Sequence, residues 1–154
     1  MFYTVLQAVL QLTSPQPPLT LATLPWLVNS LATSVQAGFP SPAEDHQVQQ
    51  IDLMQELNKH PQATFMLRVR GDSMRDAGIL DGAVVLVDKA IKPANGQIVI
   101  AVVDGDFTCK TLQLRAGRMK LKAQNPTFPD IIPKDGQTIE IWGVVVASIY
   151  KHKT

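Results

Sequence analysis

From Ala63 onward the chain is a succession of short apolar runs separated by turn dipeptides that end in glycine. TFMLRVR, AVVLVD, QIVIAVV, FTCKTLQL, MKLKA and TIEIWGVVVASIY are alternating or wholly apolar and rich in Val and Ile, as strands are. Asp81-Gly82, Asn95-Gly96, Asp104-Gly105, Ala116-Gly117 and Asp135-Gly136 stand between them and carry turn chemistry. Six to eight short strands at this spacing imply a mostly β fold, a compact and largely antiparallel β-domain. No internal repeat is visible. The three amphipathic helices of a helix-turn-helix reader have neither room nor pattern here, so direct sequence-specific DNA binding is not expected.

The front of the chain is built differently. No Asp, Glu, Lys or Arg precedes Glu44, and SPQPP at residues 14–18 breaks up a stretch rich in Leu, Thr and Ser. Its apolar runs are cut by Pro15, Pro17, Pro18 and Pro25 and fall short of the roughly 18–20 residues of a membrane helix. SVQAG places Val35 and Ala37 at a spacing that signal peptidases accept. A basic leading region is missing and the apolar part is ill-placed, so neither export nor a membrane anchor is expected. Residues 1–43 therefore read as an uncharged, partly extended arm. Trp26, Leu27, Leu31 and Ala32 allow one short helix in it. Residues 44–150 form the domain proper and 151–154 a basic tail. At its start, IDLMQELNKHP predicts a short helix capped by Asp52, with Leu53, Met54 and Leu57 on one face and Pro61 as its stop.

Composition removes several function classes. Fourteen Lys and Arg against thirteen Asp and Glu leave a formal charge of +1, which provides no field for non-specific nucleic-acid binding. Lys120 and Lys122 alternate with Met119 and Leu121 as a solvated strand face. A single cysteine, Cys109, allows no internal disulfide and no cysteine-rich metal site. His46, His60 and His152 lack ligand spacing, so neither metal nor cofactor is expected. Trp142 and Phe107 are expected to fill the core.

Two residues carry possible chemistry. Ser73 lies in RGDSM, between the run TFMLRVR and the loop RDAGILDG, where Gly71 permits a sharp turn that exposes a hydroxyl. A serine at its free pKa is a weak nucleophile and needs a base within reach. Lys110 is the available candidate: in FTCKTLQL it shares a strand face with Leu112 and Leu114, while Cys109 points the other way. Burial there would lower its pKa and turn it into a neutral base. Bringing it from about 10.4 to about 7 takes on the order of 4–5 kcal/mol, which requires a nearly dry site. A lysine snorkelling from a sheet edge fits the same pattern, and the spacing alone does not choose between them.

Several further segments occur in order: AGFPSPAED, IDLMQELNKHP, GDSM, GILDGAVVLVD, GQIVIAVVDGDFTCKTLQL and IWGVVVA. Together, over about residues 37–147, they resemble the UmuD branch of the LexA/UmuD family of self-cleaving serine peptidases. The resemblance implies a β-domain of the LexA/UmuD C-terminal type, with Ser73 as nucleophile and Lys110 as general base. It implies cleavage of the chain's own Ala37-Gly38 bond. The oxyanion of such a reaction needs backbone N–H donors, for which that of Ser73, with Asp72 beside it, is the natural candidate. Small residues at Ala37 and Gly38, followed by Pro40 and Pro42, suit a segment laid down as an added strand.

It further implies an SOS-response factor of the cytoplasm, stimulated by the RecA filament on single-stranded DNA. The trimmed homodimer would then serve a UmuC-like Y-family polymerase in translesion synthesis. The arm departs from the pattern: 37 residues precede the bond where the family has about two dozen, and MFYTVLQAVLQL matches nothing in it. Two alternatives come from other classes. One is a dimeric polymerase-binding module with an idle Ser-Lys pair. The other is a signal-peptidase-like enzyme acting in trans, which would need the membrane anchor that the arm does not supply.

Overall fold

Strand pairing organises the molecule. The computed structural model describes residues 19–20, 25–31 and 48–153. Among them the strands are β1 (Leu19–Thr20), β2 (Leu27–Leu31), β3 (Val48–Asp52), β4 (Thr64–Arg68), β5 (Val84–Asp88), β6 (Ile98–Val103), β7 (Asp106–Arg115), β8 (Arg118–Lys122) and β9 (Ile139–Ile149). One helix, α1 (Leu53–Leu57), lies between β3 and β4. Seven strands form one sheet in the order β1-β4-β5-β9-β6-β7-β8, and β2 pairs with β3 separately. Every pairing is antiparallel. The six runs from Ala63 onward became β4 to β9, and the mostly β fold read from the sequence is the fold observed.

The strands β5, β9 and β6 lie at the centre of the sheet. β5 and β6 are buried on both faces over most of their length, which is why their sequences are almost wholly apolar, whereas β9 is buried only around Gly143 and Val144. Met74, Ile79, Val85, Val87, Ile100 and Cys109 form one buried cluster. Val99, Ala101, Leu112, Leu121 and Val144 form another. Consecutive residues of β6, Val99 and Ile100, belong to different clusters, as alternation along a strand requires.

The hairpins obey their turn residues. Asp104 and Gly105 both have positive φ (50° and 95°), as do Ala116 and Gly117 (48° and 73°), the backbone sense that two-residue hairpins need. The first turn is further tied down because the Asp104 carboxylate accepts from Thr138 N (2.9 Å) and Gln137 Nε2 (2.8 Å), ahead of β9.

The strand β9 is irregular in two places. Its register against β5 slips between Leu86 and Val87, leaving Val146 as an extra residue; against β6 it slips between Ile100 and Ala101, leaving Trp142. Such bulges bend and twist a strand, letting one long strand serve two neighbours in a curved sheet. Gly143 sits between them and is buried.

Two expectations are corrected. The helix allowed around Trp26 is instead β2, paired over its whole length with β3 from Leu27↔Asp52 to Leu31↔Val48. A helix this short is marginal alone, whereas a partner strand satisfies the same backbone groups at once. Phe107 does not fill the core: it is 58% exposed and meets the edge of Trp142 at 5.5 Å between centroids. The Asp52 cap is as expected, accepting from Met54 N (3.0 Å) and Gln55 N (3.4 Å). It also accepts from Trp26 N (3.0 Å). The helix ends at Leu57, before Pro61, because Asn58 has already turned extended.

A Cβ added at Gly143 would lie 2.7 Å from Val87 Cγ1 and 3.2 Å from the Asp88 carbonyl oxygen. Gly143→Ala is expected to cost about 1–3 kcal/mol in urea unfolding, the usual range for overpacking. The same substitution should cost less in a Val87→Ala background, where the nearest atom has gone.

Candidate active site

Ser73 is presented by the loop between β4 and β5. The loop is closed at its base by Val69 N donating to the Ala83 carbonyl (2.8 Å) and Gly82 N to that of Val69 (3.0 Å). Gly71 turns the chain with φ 83°, and its N–H donates to Asp81 Oδ1 (2.6 Å). Met74 is wholly buried, and its carbonyl accepts from Ala77 N (3.1 Å) and Ile79 N (3.2 Å) across a short 3-10 turn, Arg75–Ala77. Met74 thus anchors the loop in the core while Ser73, one residue before it, stays half-buried at the surface. The pairing of a serine with a following methionine has this plain physical sense: one side chain is held so that the other is held out.

Lys110 comes from the middle of β7, opposite Val99 of β6. It shares the face of Leu112, which is buried; Leu114, farther along, is exposed. Lys110 is itself buried, and its amine meets three neutral oxygens: Ser73 Oγ (2.9 Å), the Cys109 carbonyl (3.0 Å) and Thr108 Oγ1 (3.2 Å). Burial pushes the Lys110 pKa below its ordinary value, with the adjacent Cys109 opposing weakly. Cys109 gives little help near neutral pH, because burial pushes its thiol up to about 11 and leaves it uncharged. Among the described residues no carboxylate contacts the amine.

A neutral amine has two N–H donors and one lone pair. With the donors on Thr108 Oγ1 and the Cys109 carbonyl, the lone pair is left to accept from the Ser73 hydroxyl. The arrangement sets a serine hydroxyl within hydrogen-bond reach of an amine that two further oxygens orient, a geometry in which a serine can be activated.

Beside the pair lies a cleft of about 340 Å³ lined by Leu67, Val69, Arg70, Ser73, Phe107 and Cys109. Among the described residues the Asp72 and Ser73 N–H groups donate to no protein acceptor. The Asp72 carbonyl is occupied, by Arg75 N (3.2 Å) and Asn125 Nδ2 (2.9 Å). Ala37 and Gly38 lie outside the described residues.

The sequence brought together Ser73, Lys110 and Asp72, and the structure places them together. It did not single out Thr108, whose spacing two residues before Lys110 was the available signal. Nor did it single out Gln124 and Asn125, which reach the Ser73 and Asp72 carbonyls only through the fold. No group of metal-ligating side chains occurs among the described residues. Lys120, expected to be simply solvated, is paired with Asp130 at 2.6 Å.

Comparison with known proteins gives the family. Residues 29–146 match the family described as Peptidase S24-like. Protein SamA of Salmonella typhimurium is 45% identical over 118 residues, covering 77% of this chain and 81% of that protein. Protein MucA of Escherichia coli is 43% identical over 119 residues, with the same coverage of both. The LexA repressor of Cupriavidus taiwanensis is 42% identical over 120 residues, 77% of this chain and 54% of that protein. The family resemblance read from the motifs is thereby borne out.

Burial of the amine has a consequence for stability. Between its lowered pKa in the folded state and about 10.4 in the unfolded chain, unfolding takes up a proton at Lys110, so stability rises with pH across that window. Below the window the penalty is full and constant. In a Ser73→Ala background, the unfolding free energy of the Lys110 protein minus that of Lys110→Met should therefore climb as pH rises toward 10. A flat difference would mean an amine that is solvated in the folded state.

Proposed function

The chain belongs to the Peptidase S24-like family, and we propose that it is a serine peptidase that cuts its own Ala37-Gly38 bond with Ser73 and Lys110. The observation that carries this reading is the 2.9 Å contact between a buried, charge-uncompensated amine and the serine hydroxyl. Lys110 Nζ takes the hydroxyl proton as Ser73 Oγ attacks the Ala37 carbonyl carbon. The oxyanion of the tetrahedral intermediate is met by the Ser73 and Asp72 N–H groups. On collapse the Ala37–Gly38 C–N bond breaks, and the ammonium of Lys110 returns its proton to the departing Gly38 amine. Water, deprotonated in turn by Lys110, then hydrolyses the ester between Ala37 and Ser73 and frees the hydroxyl.

Substrate and catalyst on one chain react at high effective concentration, so a modest catalyst suffices and docking of the arm becomes the control point. Cleavage removes residues 1–37 and leaves the 117 residues from Gly38 to Thr154. The family reading extends this to an SOS-response role. Contact with the RecA filament on single-stranded DNA favours the cleavable state, and the trimmed homodimer acts as accessory subunit of a UmuC-like Y-family polymerase.

Intact mass after incubation from pH 7 to pH 10, without partners, tests the chemistry. A 117-residue product should appear faster as pH rises and neutral Lys110 becomes populated, and be absent from Ser73→Ala and Lys110→Ala. Cleavage that persists in either variant, or no cleavage at any pH and none with RecA filament added, overturns the reading.

A further inference from the structure

The carbonyl and the N–H of a trans peptide point in opposite directions, so fixing one aims the other. The Asp72–Ser73 peptide carries at its two ends the Asp72 carbonyl and the Ser73 N–H. Asn125 holds the first of these. Its Nδ2 donates to the Asp72 carbonyl at 2.9 Å, from a residue fifty-three positions away that is 4% exposed. Its Oδ1 accepts from Thr127 N (3.1 Å) and Thr127 Oγ1 (2.9 Å). Those partners allow only one amide orientation, because the flipped one would face acceptor to acceptor at Asp72 and donor to donor at Thr127.

The loop that carries Asn125 is rigidly mounted. Leu121 and Ile131 exchange backbone hydrogen bonds at its base (2.9 and 2.8 Å), and Asp130 Oδ1 accepts from Ala123 N (2.9 Å). The neighbouring Gln124 donates its N–H to the Ser73 carbonyl (2.8 Å), accepts from Asp76 N (2.8 Å), and bonds Thr111 Oγ1 of β7 through Nε2 (2.9 Å). The peptides on both sides of Ser73 are thus held from this one loop.

We infer that Asn125 is a positioning residue for the oxyanion site: by pinning the Asp72 carbonyl it aims the Ser73 N–H into the cleft. The inference rests on the proposed Ser73–Lys110 chemistry. Asn125 touches neither amine nor hydroxyl, so its removal should lower the rate without changing how Lys110 titrates.

The test is the pH–rate profile of self-cleavage for wild type, Asn125→Ala and Thr127→Val. Asn125→Ala should lower the high-pH plateau by at least about tenfold, short of the 10²–10³ for deleting an oxyanion donor, with the midpoint unmoved. Thr127→Val removes a hydrogen bond from the same loop but leaves Nδ2 in place, so its plateau should stay within about twofold. An unchanged plateau in Asn125→Ala, a fall accompanied by a shifted midpoint, or an equal fall in Thr127→Val would overturn the role. If Asn125→Ala does not fold, the inference stands or falls on NMR of the Ser73→Ala protein. It requires a scalar coupling across the hydrogen bond between the Asn125 side-chain nitrogen and the Asp72 carbonyl carbon. Failure of wild type to cut would instead overturn the Ser73–Lys110 chemistry itself.

Discussion

An amine taken out of water with no carboxylate to meet it is the constraint on which this structure turns. Lys110 is buried in the middle of a strand, and the oxygens around it are neutral. Burial disfavours the charged form of such an amine, and as a free base it has a lone pair to place. The Ser73 hydroxyl is what the fold offers. Moving a carboxylate into contact would recharge the amine and remove the reason for the contact.

That placement depends on the scaffold at a distance. The residue beside Ser73 is locked into the core through Met74, and Lys110 is fixed by the register of β7 against β6. Both in turn rely on β9, whose bulges at Trp142 and Val146 let it follow β6 on one side and β5 on the other. Gly143 is part of that fit: it leaves no room for a Cβ against Val87 and pairs with Ile100, which lines the cleft.

Much of this was legible in the chain. Strand runs and Asx-Gly turns are local signals, and each of the six runs from Ala63 became a strand. The Asp52 cap was readable for the same reason. What escaped was set by partners distant in sequence. The residues of β2 carry spacing that suits a helix as well as a strand, and only pairing with β3 decides between them. Phe107 looked like a core residue by type, yet it lies next to the β6–β7 turn, where the sheet runs out of covering. Ser73 and Lys110 were singled out as a possible nucleophile and base, and the family resemblance, not their spacing, favoured that reading. Asn125 was not, because its function lies in one hydrogen bond across fifty-three residues, to a carbonyl whose identity no side-chain pattern announces.

The pairing of β2 with β3 bears on what would follow the proposed cut. Residues 32–47 run from the end of one strand to the start of the other, so the two strands are the stem of a long hairpin. A scission anywhere in that span severs the covalent link but leaves the stem's hydrogen bonds in place. The fragments then remain a nicked complex, whose dissociation is a separate event with its own rate and its own dependence on concentration. Before the nick, rejoining the strands is a loop closure; afterwards it is a bimolecular encounter. Under the proposed cleavage, scission would be a commitment step, and departure of the leading peptide would need release of β2 from β3 and of β1 from β4.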